Sequence, residues 1–181
     1  MKTIAILGAG FGGLRAAYVL SKKLRSLNVL DRYEIILVDQ HDYHTYTPLL
    51  YEVATTSKET ADLCDLHSVA AYKLTELTKH LPITVIQSEV KTIDVARRNI
   101  KLVNTDILCD YLVLALGSET NYFNIKGLKE NSFSLKTFLD AVRIREAIWN
   151  LMDGGKKELT IIIGGAGSTG IELAGELKLW K

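Results

Sequence analysis

The sequence is poor in the residues that carry disulfide, metal and thiol chemistry. Its only cysteines are Cys64 and Cys109, 45 positions apart, with no CxxC or CxxxxC pair. Neither count nor spacing suits a zinc site or a disulfide framework, so both are expected as reduced, partly buried thiols. Charge of one sign is also missing. Lysine and arginine number 22 against 21 acids, a formal net charge of +1, which leaves no basis for nucleic-acid steering or a polybasic membrane patch. No apolar run approaches the roughly 18 residues of a spanning helix. Lys2 is charged and Gly8–Gly13 interrupts any signal-peptide core, so the chain is expected to face the cytoplasm. With 48% hydrophobic and 24% charged residues, the 181-residue chain is an ordinary globular one, long enough for one domain or one and part of another.

Glycine, by contrast, is concentrated where it matters. Thr3–Leu7 is a short apolar run that breaks into Gly8-Ala9-Gly10-Phe11-Gly12-Gly13 and emerges with helical spacing at Leu14, Ala17, Leu20, Leu24 and Leu27. This predicts strand, tight turn and a helix of about 15 residues, with Gly8, Gly10 and Gly13 in GxGxxG register. In a dinucleotide fold the first glycine permits the turn. The second admits a pyrophosphate, and the third lets helix pack on strand. The helix start then offers free N–H groups and the positive end of its dipole. The motif alone is weak, since a glycine-rich turn can merely pack; its strand-and-helix context sharpens it.

Tyr33–Val38 reads as a buried parallel strand ending at Asp39, where an acidic residue accepts hydrogen bonds from ribose hydroxyls; the same residue type also caps turns. His41–Val53 mixes aromatic and polar residues without a clean period and is expected as a cofactor-lining loop. His41 and His44 lack a third ligand, so no metal is expected. Ser57–His80 looks mostly helical, with Leu63, Leu66, Ala70, Leu74, Leu77 and Leu81 on one side, stopped by Pro82. Ile83–Gln87, Glu89–Ile93, Asn99–Val103 and Ile107–Cys109 read as strands, the later ones an antiparallel meander. Tyr111–Gly117 is another buried strand whose terminal glycine allows close backbone approach to a ligand. Leu135, Phe138, Leu139, Val142, Ile148 and Leu151 mark a helix closed by Gly154-Gly155, before the charged Lys156, Lys157 and Glu158.

The opening then repeats. Leu159–Ile163 is an apolar run, and Gly165-Ala166-Gly167-Ser168-Thr169-Gly170 is a second GxGxxG, 157 positions after the first. Ala17 and Ala174 each lie four residues past the third glycine. Two such units imply two dinucleotide sites, and a flavin with a nicotinamide is the common pairing.

At this point the residues resemble a family. Gly8–Gly13, Thr47–Ala54, Tyr111–Gly117, Leu135–Thr137 with Asp140-Ala141, and Gly165–Leu177 are similar to the N-terminal part of a type II NADH dehydrogenase, an FAD-dependent NADH:quinone oxidoreductase. The resemblance implies an α/β fold. A Rossmann-like FAD domain with a parallel sheet and a small antiparallel meander would span 1–118, lacking its C-terminal segment. The truncated start of an NAD(H)-binding unit would span 119–181. It implies FAD on Gly8, Ala9, Gly10, Phe11, Gly12 and Gly13, with Asp39 at the ribose and Gln40 also among the cofactor-binding residues. Thr47, Pro48, Leu49 and Leu50 would lie near the isoalloxazine, Val90 at the adenine, and Ala115, Leu116 and Gly117 again beside the cofactor. NADH would meet Gly165, Ala166, Gly167, Ser168, Thr169 and Gly170. Glu172 resembles the acidic residue at the nicotinamide–flavin junction, the catalytic candidate; an exposed glutamate favourable to the helix dipole is the alternative.

The implied partners are NADH and a quinone, with no nucleic acid. Membrane contact is expected only through a missing C-terminal part on the inner face of the membrane, and self-association through the exposed second half. Departures matter too. His41–Ala54, shortly after the acidic strand, contains no cysteine, which argues against disulfide chemistry, and Leu116 stands where a hydroxyl residue is common. With one strand of the second unit present, residues after about 118 are expected to be poorly covered and the chain itself inactive. The alternatives are a related ferredoxin, rubredoxin or sulfide:quinone reductase, and a non-catalytic nucleotide-binding module.

Overall fold

The computed structural model describes residues 1–63, 65–154 and 158–179; the side chains of Glu59, Asp62 and Leu63, and all of Cys64, Gly155, Lys156, Lys157, Trp180 and Lys181, lie outside the described residues. Two compact units are present, residues 1–44 with 72–118, and residues 45–71 with the chain from 119 onward.

In chain order the first elements are β1 (Lys2–Leu7), α1 (Phe11–Ser26), β2 (Tyr33–Asp39), β3 (Tyr43–Thr45), α2 (Leu50–Thr55), α3 (Lys58–Leu63) and α4 (His67–Ala70). There follow β4 (Ala71–Lys73), α5 (Leu74–Thr78), β5 (Thr84–Gln87), β6 (Val90–Asp94), β7 (Asn99–Leu102), β8 (Asp106–Leu108) and β9 (Tyr111–Leu114). The last two are α6 (Phe138–Asp153) and α7 (Ser168–Leu179).

The first unit is built on a four-stranded parallel sheet in the order β5-β2-β1-β9. Ile4 stands opposite Ile35 and Ala5 opposite Ile36, so alternate residues of β1 and β2 reach opposite faces together. Ile4, Ile6, Ile35 and Leu37 pack with Ala17, Leu74 and the α1 stripe of Leu14, Leu20 and Leu24. Ala5, Leu7, Ile36 and Val38 pack with Ile100, Leu102, Ile107 and Cys109 beneath the antiparallel β6-β7-β8 meander. Covering both faces explains why these strands read as unbroken apolar runs rather than alternating ones. Each fully buried leucine or isoleucine contributes about 1.5–3 kcal/mol. Leu27, at the end of the expected stripe, caps α1 and is exposed. Cys109 is a free, buried thiol, and burial, with Asp110 beside it, pushes its pKa up.

The second unit packs α2 against α6 and α7. Leu50, Val53, Ala54, Phe138, Ala141, Ile148 and Leu173 are buried there. Thr137 caps α6 in a capping box, its hydroxyl accepting from the Asp140 N–H while the Asp140 carboxylate accepts from Thr137 N–H. Arg145 Nε donates to the Thr56 carbonyl at 2.8 Å, tying the end of α2 to α6.

Four expectations change. The single helix over 57–80 is divided into α3, α4, β4 and α5. Ala70 and Leu74 are both buried as the apolar spacing requires, but β4 between them pairs with β3, and Leu77 is exposed while Thr78 is buried. Leu159–Ile163 forms no ladder among the described residues, and Ile162 is 90% exposed. A strand needs an edge to pair with, which apolar composition does not supply. The loop expected over 41–53 contains β3 and the start of α2. Phe123, Ile125 and Phe133 are exposed as expected beyond residue 118, yet α6 and α7 are covered on one side, because α2 packs on them.

Candidate functional site

Strand β1 hands the chain to the first glycine turn with its ladder intact. Gly8 N–H donates to the Val38 carbonyl at 2.7 Å, and Ala115 N–H donates to Leu7 at 2.8 Å. Gly8 adopts φ 99°, and a Cβ there would collide with the Ala115 carbonyl. Only glycine serves, by conformation and by contact. A Cβ at Gly13 would strike the Gly8 carbonyl, so the third glycine lets α1 close down on the turn. At Gly10 a Cβ would meet nothing within 4 Å. The middle of the turn is open.

That opening suits a diphosphate. Gly10 is the N-cap of α1 with no side-chain cap, and no acidic residue stands in the first turn. The N–H groups of Phe11, Gly12 and Gly13 have no intrahelical acceptor, and the helix dipole adds positive potential where they point.

Asp39, at the end of β2, braces the turn. Its Oδ2 accepts from Ala9 N–H at 2.6 Å and its Oδ1 from His41 N–H at 2.9 Å. Each carboxylate oxygen keeps a further lone pair for a ribose hydroxyl. The Asp39 carbonyl accepts from Ser88 N–H at 2.7 Å, drawing the entry to β6 alongside. A cleft of about 430 Å³ results, lined by Gly8, Asp39, Gln40, Val90 and Leu116 among the expected residues. Val38, Ser88, Glu89, Lys91, Thr92 and Ile93 line it too and were not expected. Their signal was the meander itself, whose first strand enters beside Asp39. The volume lies in the range of small-molecule sites.

His44 lies in the stretch expected to line the cofactor. It is 6% exposed, and its Nδ1 lies 2.9 Å from the Ala9 carbonyl. Phe11 meets its ring edge-on, with centroids 4.9 Å apart. Ala9 and Phe11 thus bear on the shape of the turn and Gly12 and Ala115 border it, while a Cβ at Gly117, whose φ is 81°, would meet nothing within 4 Å.

The second turn copies the local geometry of the first. Gly165 has φ 131°, a Cβ at Gly170 would strike the Gly165 carbonyl, and Ile171 N–H donates to Gly167 at 3.1 Å as Leu14 N–H donates to Gly10 at 3.0 Å. Gly165 itself would find nothing within 4 Å of a Cβ. Ala166, Gly167 and Ser168 are exposed, and the first turn of α7 holds no acidic residue. Glu172 is exposed one turn in. It adds its charge to that of Glu52 and Glu176 around Tyr51, whose phenol is pushed up by desolvation first and by these carboxylates next. Thr47 and Pro48 are exposed, Leu49 is half-buried, and Leu50 is a core residue of the second unit at 1% exposure.

Among the described residues no group of histidine, cysteine and acidic side chains could hold a metal, and no helix is long and apolar enough to cross a membrane.

The chain is similar to known proteins along almost its whole length. The sequence profile for "Pyridine nucleotide-disulphide oxidoreductase" matches residues 2–180. A type II NADH:quinone oxidoreductase of Staphylococcus saprophyticus is 32% identical over 97% of this chain and 43% of its own length. A demethylphylloquinone reductase of Synechocystis is 33% identical over 96% of the chain and 42% of its own. The chain therefore spans less than half the length of these curated relatives. Among solved structures, NDH2 from Plasmodium falciparum in complex with NADH superposes with a TM-score of 0.75 at 23% identity, covering 97% of this chain and 36% of that one. The sulfide:quinone oxidoreductase of Aquifex aeolicus gives 0.66 at 25% identity, covering 84% and 33%. With two glycine turns of one geometry and a family profile matched almost end to end, the chain belongs to the pyridine nucleotide-disulphide oxidoreductase family.

Proposed function

We propose that this chain is the N-terminal part of an FAD-dependent NADH:quinone oxidoreductase, with FAD on the first glycine turn and NADH on the second. The carrying observation is the first turn: an open Gly10, an uncapped helix start and a braced Asp39 around one cleft. On this reading residues 1–118 are the FAD-binding part and 119–181 an incomplete NAD(H)-binding part. Bound together, the two cofactors supply hydride transfer from NADH to FAD and onward reduction of a quinone.

The chain's own residues bind and orient. Backbone N–H groups of residues 10–13 would take the FAD pyrophosphate, Asp39 and Gln40 the adenosine ribose, and Val90 the adenine edge. Ala115, Leu116 and Gly117 would flank the cofactor again, with Thr47, Pro48, Leu49 and Leu50 toward the flavin ring. Gly165 to Gly170 would hold the NADH pyrophosphate and Glu172 its nicotinamide end, where a carboxylate can accept an amide or hydroxyl proton. On this reading inner-face membrane association would come only through a C-terminal part outside this chain, whereas self-association through residues 121–181 would mark the alternative, a non-catalytic nucleotide-binding module.

A sulfide- or disulfide-reducing reading has less support. Cys109 is buried under the meander with a raised pKa, the opposite of an activated thiol. Calorimetric titration tests the reading: FAD binds the parent chain and loses affinity in Gly10→Glu, which places a carboxylate in the open turn. Unchanged FAD binding by that variant overturns the assignment. The chain alone with FAD, NADH and a soluble quinone is expected to show no turnover, and sustained turnover contradicts that.

A further inference from the structure

We propose that His44 is a positioning residue for the FAD pyrophosphate, holding the Ala9–Gly10 peptide so that its N–H faces the phosphates. The inference rests on the FAD reading of the first turn. A carbonyl oxygen only accepts, so at 2.9 Å from the Ala9 carbonyl the His44 Nδ1 carries the proton and donates. The peptide is planar and trans, so its N–H points opposite to its carbonyl. With the carbonyl pinned to His44, the Gly10 N–H is turned away from the histidine. That fixes which way the donor faces, at the residue whose Cβ position is open.

The pin acts at the one point of the turn, Gly10, that the close contacts of Gly8 and Gly13 leave open. Glycines at 8, 10, 12 and 13 allow peptide flips that a Cβ would resist. Asp39 restrains the other side of the same residue, accepting the Ala9 N–H at 2.6 Å. Ala9 is thereby held at both its peptide groups, by an acid from β2 and a histidine from β3. The ring itself is held by burial, by the edge contact with Phe11 and by the pairing of β3 with β4. A flipped peptide would present the Ala9 oxygen to a phosphate, and lone pair would meet anion.

Three His44 variants and one spectroscopic measurement test this in the chain. His44→Asn places an amide N–H near the position of Nδ1, whereas His44→Gln places one near Nε2. The expected result is that His44→Leu and His44→Gln weaken FAD binding about tenfold and His44→Asn restores most of it. Binding unchanged in His44→Leu, or restored by Gln and not by Asn, overturns the proposal. Should a variant fail to fold, nitrogen-15 shifts of His44 in the parent chain decide. A ring that carries a proton at Nδ1 supports the pin, and protonation at Nε2 alone overturns it. If the parent chain does not bind FAD, the FAD reading and the positioning role fall together. The ring shifts then still report whether the His44 bond to Ala9 exists.

Discussion

The two glycine turns are alike inside and unlike outside. Each begins with a glycine of positive φ, 99° at Gly8 and 131° at Gly165, and each brings its third glycine against the carbonyl of the first. Around Gly8, β1 is paired on both sides, and the Ala115 backbone closes on the turn. A Cβ on Gly165 would meet no described atom within 4 Å, and the preceding residues 159–163 join no ladder among the described ones. The motif therefore sets its own loop geometry, while neighbouring strands supply the second constraint. A turn can form without its sheet; a cleft cannot.

The sharpest way to break the comparison is to add a Cβ to the same glycine in both turns. Gly8→Ala meets an unfavourable φ and the Ala115 carbonyl together, and is expected to cost more than about 3 kcal/mol by urea denaturation. Gly165→Ala meets only the φ, so about 1 kcal/mol is expected. Equal costs would mean that the strands do not constrain the first turn. Next in size is the brace. Asp39→Asn removes a charged acceptor from two backbone N–H groups and is expected to lower stability by about 1.5 kcal/mol at neutral pH.

The smallest effect concerns how each helix begins. Helix α1 opens on an uncapped Gly10, while α6 opens on the Thr137–Asp140 capping box. Thr137→Ala is expected to cost about 1 kcal/mol. Burial alone would push the Asp140 carboxyl up, yet hydrogen bonds from Thr137, Ser134 and Lys136 outweigh it and hold it below the ordinary carboxylate value. A depressed folded-state pKa means this contribution is present above the unfolded carboxylate's pKa and is lost as pH falls through the folded one. Melting of the parent chain and of Asp140→Asn as a function of pH checks the sign: the difference should narrow toward acid.

Much of this was legible in the residues, for a physical reason. Strands covered on both faces read as apolar runs, and a helix on one face reads as a stripe, so β1, α1 and β2 stand where Thr3–Leu7, the Leu14–Leu24 spacing and Tyr33–Val38 put them. The GxGxxG registers translated directly into the turn geometry. What was not legible depends on partners distant in sequence. Ala70 and Leu74 kept helical spacing although β4 intervenes, because Ala71–Lys73 finds an edge in β3. Leu159–Ile163 has strand composition and no ladder. Ser88, Lys91 and Thr92 became cleft residues only because the meander starts beside Asp39. His44 looked like half of a failed metal pair, and its partner proved to be a carbonyl 35 residues earlier.

The central claim is that the first turn, and not merely its sequence, is a flavin site. The most direct measurement is the visible absorbance spectrum of the purified chain after incubation with FAD and gel filtration. The account predicts flavin bands that co-elute with the protein at one FAD per chain in the parent and are lost in Gly10→Glu. A parent chain that elutes colourless, or a variant that retains the bands, would contradict it.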